Sequence, residues 1–192
     1  AFLLVTTALF ASSQNYTPVL LSYTTAKFEE AKKEVDKLMV DPKAKDKAET
    51  YMWKLKVYSE LYGDTTLNSK YPEAGKEAIE ALDKYIALEP GMKLLKEDLR
   101  PVSLLYGQAF NYGRNFFQKS DWPNAYNSFA MCQQVSEFIG KNGLTSSGKY
   151  TIDTTVVLYT AYAAQNAGKA SEAALRYKML ADYKIADKDF ED

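Results

Sequence analysis

The stretch with the strongest claim to chemistry runs Gly143-Leu144-Thr145-Ser146-Ser147-Gly148-Lys149-Tyr150. Its glycines and lysine stand at the spacing of a phosphate-binding loop. Such a loop needs glycines so that backbone N–H groups converge on phosphate, a lysine, and then a hydroxyl for magnesium. Here Tyr150 occupies the Ser/Thr position, and a helix rather than a strand is expected ahead of it, so the stretch reads as a connecting loop. The acidic clusters are Glu29-Glu30, Glu97-Asp98 and the tail Asp187 to Asp192. Adjacent carboxylates on a helix point apart, whereas an acid–base pair must face one bond from two sides. They read as solvated faces. The tail also lacks the glycine that a calcium loop carries at its sixth position.

Two absences narrow the chemistry further. With no histidine in the chain, imidazole acid–base catalysis, His-based triads and His-ligated zinc are excluded within it. With one cysteine, Cys132, neither an intramolecular disulfide nor a thiolate metal cluster can form. Cys132 follows Ala125 by seven residues on the same helical face, where a free cysteine acts as a small buried hydrophobe. The expectation is therefore a non-enzyme with no cofactor and no metal. Asn15-Tyr16-Thr17 is a glycosylation sequon, with meaning only in a eukaryotic secretory host.

The elements that carry these residues are helical. At 192 residues and 46% hydrophobic content, one domain with a sizeable core is feasible. A net charge of −1 gives no basic surplus for nucleic acid or an anionic membrane. Residues 1–13 carry no charge and end in Ala11-Ser12-Ser13, small residues at the −3 and −1 positions of a cleavage site. They read as the remnant of a secretory signal peptide, too short for the roughly 20 residues of a membrane span. No cysteine follows to take a lipid anchor. The mature chain is then expected to start near Gln14 and to act outside the cytoplasm, in a periplasm or secreted.

Residues 14–23 read as a lead-in, and Thr24 or Thr25 as the cap of a helix running to about Val40. Further helices are expected over about 47–62, from Pro72 to an end at Glu89-Pro90-Gly91, from Pro101 to about 119, from Ser120 or Asp121 to about 139, from Thr151 or Asp153 to 167, and over 171–183. A polar loop is expected up to Lys70, and a partly helical connector over 92–100. No sustained apolar–polar alternation marks a strand.

Four alanines recur through these helices: Ala31, Ala78, Ala125 and Ala173, spaced 47, 47 and 48 residues apart. Each has a bulky residue four positions later, Val35, Leu82, Phe129 and Tyr177. A small residue lets two helix backbones approach, and the large one fills the groove beside it. Recurrence at a long fixed period marks a stacked helical array. The pattern resembles the tetratricopeptide repeat, on Gly113, Phe116, Trp122, Ala125, Phe129 and Cys132 in the third unit. Ala161, Gly168, Ala173 and Tyr177 carry it in the fourth, and Leu55, Tyr58, Ala78 and Pro90 in the second. In the first, Phe28, Ala31, Val35 and Leu38 carry it. A HEAT-like array, at about 40–47 residues per repeat, is the nearest rival.

The resemblance implies an all-α fold, an α-solenoid of antiparallel helix pairs over residues 14–192, with continuation beyond Asp192 left open because no polar terminal cap is evident. It implies a concave groove lined by the first helix of each pair. The implied lining is Lys56, with Ser59 and Glu60, then Arg114, Phe117 and Gln118, then Tyr162, Gln165 and Asn166. The expected role is a non-enzymatic protein-interaction scaffold that takes a protein or peptide partner in that groove. The rivals are a carbohydrate-binding, outer-membrane-associated module, to which the 15 tyrosines and Trp53 and Trp122 lend themselves, and the helical part of a larger cell-envelope enzyme.

Overall fold

The computed structural model describes residues 15–144 and 152–183. The signal-peptide reading of 1–13, most of the phosphate-loop-like stretch and the acidic tail lie outside them. Among the described residues there are ten helices and no strand. In chain order these are α1 (Thr17–Thr24), α2 (Phe28–Val40), α3 (Ala48–Gly63), α4 (Thr65–Lys70), α5 (Ala74–Leu88), α6 (Lys93–Glu97), α7 (Arg100–Gln118), α8 (Trp122–Lys141), α9 (Thr154–Asn166) and α10 (Ala170–Asp182). The first seven of these include two short helices, α1 and α4, where a lead-in and a loop were expected.

Local chemistry explains both. Pro18 sits in the first turn of α1, where its missing N–H is no loss. Thr24 and Thr25 finish α1 instead of opening α2, because their hydroxyls turn back to the carbonyls of Leu20 and Leu21 at 2.9 and 2.8 Å. Ala26 then takes a left-handed φ of 57°, and α2 starts after Lys27. At α4, the Asp64 carboxylate accepts from the N–H groups of Thr66 and Leu67 at 2.8 and 2.9 Å. That N-cap is worth about 1 kcal/mol, and Leu67 packs its side chain against the core.

The helices pack in successive pairs: α1 on α2, α3 on α5, α7 on α8 and α9 on α10. Neighbouring pairs touch through α2–α3, α3–α7 and α8–α9. The recurring alanines stand at these contacts. Ala31, Ala78 and Ala125 are fully buried and Ala173 is 4% exposed. Val35, Leu82 and Phe129 are buried behind them. Each such large side chain taken fully out of water contributes roughly 1.5–3 kcal/mol. The main core runs from Val19 to Val156, and a smaller aromatic cluster forms around Phe129 between α7, α8 and α9.

Candidate functional site

The expected groove draws on α3, α7 and α9; α3 packs on α7, and individual side chains link α7 to α9. The C-terminal half of α3 lies along the start of α7. Glu60 pairs with Arg100 at 2.7 Å and Lys56 with Asp98 at 2.8 Å. Further on, the Tyr62 and Tyr112 rings meet edge-on at 5.1 Å, and the Tyr112 hydroxyl donates to the Tyr62 carbonyl at 3.1 Å. Between α7 and α9, Phe110 and Phe117 both present ring edges to Tyr159, at 6.1 and 5.5 Å. The Tyr106 hydroxyl reaches the Asp153 carboxylate at the start of α9 at 2.6 Å.

On this frame the expected lining residues divide. Arg114 and Gln118 are exposed on α7, and Gln165 and Asn166 are exposed on α9. Phe117, between Arg114 and Gln118, is half-buried and packs on Trp122, Phe129 and Tyr159. Its ring joins the helices from below the surface. Tyr162 is half-buried and meets Tyr177 edge-on at 6.1 Å. The Tyr177 hydroxyl donates to the Gln165 carbonyl oxygen at 2.5 Å, and the Asn166 amide donates to the Tyr162 carbonyl at 2.8 Å. Phe117 touches Tyr159, which stands one turn before Tyr162 on α9.

Lys56 stands apart. Its ammonium is paired with Asp98 and lies 5.3 Å over the Trp53 ring. That places it beside the start of α7, whereas Arg114 is 14 residues past Arg100, about 20 Å along the helix at 1.5 Å per residue. Ser59, also expected to face the groove, is fully buried, its hydroxyl spent on the Leu55 carbonyl at 2.7 Å. Glu60 is taken by Arg100 and by the Tyr23 hydroxyl at 3.0 Å. Trp53 and Trp122 are engaged as well, against Tyr23 at 5.8 Å and Phe117 at 5.1 Å.

The electrostatics are those of a packed surface. Burial pushes the Asp98 carboxyl up, but Lys56 and then Arg100 outweigh it and hold the group below the usual carboxylate range. Burial raises the Cys132 thiol to about 12, so it stays protonated. Its neighbour in the packing is the Tyr106 carbonyl, at 3.5 Å from the sulfur. Burial also raises Tyr58 and Tyr85 to about 12, with Asp36 and Glu89 adding to the effect. Among the described residues, no group of three His, Cys, Asp or Glu side chains is placed to hold a metal ion. No helix among them is long and apolar enough to cross a membrane.

A concavity of about 500 Å³ between α8 and α10 was not foreseen from the sequence. Its charges are already matched. Arg176 bonds Glu172 at 2.5 Å and Gln133 at 3.2 Å, while Lys141 pairs with Glu137 at 2.9 Å. Partners 43 residues apart, as Gln133 and Arg176 are, leave no local spacing signal to read. No protein-family model, no curated protein and no solved structure matches this chain.

Proposed function

We propose that this chain is a non-catalytic interaction scaffold, an array of tetratricopeptide-like antiparallel helix pairs that grips a protein or peptide segment outside the cytoplasm. The observation that carries this reading is the chain of contacts α1/α2, α3/α5, α7/α8 and α9/α10, with each pair touching the next. Repeat arrays bury a continuous core through such neighbour contacts and offer an extended surface to partners. The binding surface proposed is the α7–α9 stretch. Arg114 supplies a forked donor for a carboxylate, and Gln118, Gln165 and Asn166 supply amides for a peptide backbone. Lys56, held by Asp98, belongs to the packing between α3 and α7 rather than to that surface.

The test is affinity capture from the extracytoplasmic fraction of the source cells, followed by calorimetry with each captured protein. Arg114 is exposed, and a surface substitution of this kind shifts stability by no more than about 0.5 kcal/mol. Arg114→Glu is expected to keep the melting temperature and to weaken the partner at least tenfold. Capture and affinity unchanged in Arg114→Glu and in Gln118→Ala/Gln165→Ala would remove the α7–α9 surface from the account.

A further inference from the structure

The inserted helix α4 creates a cleft that the helix pairs alone would not. It lies between α4, the end of α7 and the first half of α8, with a volume of about 490 Å³. Small-molecule sites fall within about 300–1,000 Å³. Its walls are of two kinds. The aromatic wall is Tyr62, Tyr112 and Phe116, and the polar wall carries the carboxamides of Asn68, Asn124 and Asn127. Among the described residues, no Asp, Glu, Lys or Arg lines it.

We propose that this cleft binds a neutral polyhydroxylated ligand, one or two sugar units of an oligosaccharide. An ionic ligand would find no counter-charge there, and losing its hydration without one is costly. A wholly apolar ligand would strand the carboxamides without partners. Each carboxamide presents both donors and acceptors, and a sugar hydroxyl both donates and accepts. The rings of Tyr112 and Phe116 supply flat apolar area, and tyrosine adds a polar tip, a combination suited to the C–H groups and hydroxyls of a pyranose. A cleft of this volume holds a compact ligand better than an extended peptide.

Asn68 adds an observation of its own. Its side-chain oxygen is buried and accepts no hydrogen bond. A buried acceptor left unmatched is unfavourable and calls for a reason. Asn68 is fixed there by α4, whose start Asp64 caps. Asn68 lines the cleft beside Tyr112, whose hydroxyl its carboxamide meets, so a ligand hydroxyl seated there would supply the missing donor. This inference stands without the protein-interaction reading, since none of its residues lies on the α7–α9 surface proposed for a partner.

Saturation-transfer NMR and calorimetry on the full chain test it, with maltohexaose, xylohexaose and chitohexaose as neutral sugar probes and an uncharged Gly-Ser-Asn hexapeptide as the rival. At least one sugar is expected to bind. Its affinity is expected to fall at least tenfold in Asn127→Ala and in Asn68→Ala, and to hold in Arg114→Glu. Asn127 is exposed, so its variant keeps the fold and the melting temperature. The proposal fails if none of the three sugars binds, if sugar binding survives both carboxamide variants, or if the hexapeptide alone binds in the cleft.

Discussion

Phe129 presses on the backbone of Gly113 so closely that a Cβ added there would stand 2.6 Å from two carbons of its ring. The ring has no room to withdraw. It is fully buried, stacked on Tyr159 at 5.2 Å and met by the edges of Phe110 and Phe117. Alanine gains about 1 kcal/mol over glycine inside a helix, but overpacking a filled site costs about 1–3 kcal/mol. Gly113→Ala is therefore expected to lower the urea midpoint. Gly107, on the same helix, would place its Cβ in open space. Gly107→Ala is expected to raise the midpoint by the propensity gain alone. Equal shifts in the two variants would show that the close approach at Gly113 is not constraining.

The hydroxyl of Tyr106 and the carboxylate of Asp153 tie the third helix pair to the fourth across 47 residues of sequence. Asp153 also caps α9 by accepting from the Val156 N–H at 3.1 Å. A cap is worth about 1 kcal/mol, and a hydrogen bond to a charged group about 1.5–3 kcal/mol. Asp153→Ala should then cost more than Tyr106→Phe, which leaves the cap intact. A double-mutant cycle is expected to show coupling of roughly 0.5–3 kcal/mol. A coupling near zero would mean the contact contributes nothing between the pairs.

The tyrosines set the alkaline limit of the fold. Tyr58 and Tyr85 move from 10.0 to about 12, first because burial disfavours the phenolate and then because Asp36 and Glu89 face them. A raised folded pKa means that the folded state keeps a proton the unfolded chain has given up. The stabilisation is thus complete below pH 10 and is lost as pH climbs from 10 to 12. Urea midpoints should be level from pH 8 to 9.5 and then decline. The Tyr58→Phe variant should decline less steeply, and absorbance at 295 nm should report delayed phenolate formation. A level midpoint up to pH 12 would contradict the burial of these phenols.

Cys132 should be chemically silent in the native protein. It is fully buried, and its thiol is raised to about 12 by burial and then by Asp153. Thiolate is the reactive form, so an aromatic disulfide reagent at pH 8 should release no colour until urea unfolds the chain. The reaction rate should follow the unfolding curve. Rapid labelling of the native protein would overturn the packing described for α8.

The small residues were legible in the sequence because they obey local rules. Ala31, Ala78, Ala125 and Ala173 announce themselves by recurrence, and each is buried where helices meet. Cys132 follows from Ala125 by simple helical phase. Two helix starts were readable to within a choice of two residues, Ser120 or Asp121 and Thr151 or Asp153, and it is the Asp121 and Asp153 side chains that accept from the first turns of α8 and α9. The helices α1 and α4 were not. With eight and six residues they are too short to display a 3.6-residue period, and isolated helices of that length are unstable without packing partners. Tertiary contacts through Val19 and Leu67 hold them.

By itself the sequence determined an all-helical chain and the points at which its helices press together, because periodicity and side-chain size act within a few residues of one another. Only the tertiary structure decided which flank of each helix meets a neighbour and which stays open. It turned Phe117 into an aromatic cluster with Tyr159, gave Lys56 to Asp98, and left Arg114 exposed. Those outcomes depend on partners roughly 40 residues away, and on how far α3 slides along α7. A sliding distance is fixed by the whole packed surface, and no single stretch of sequence contains it.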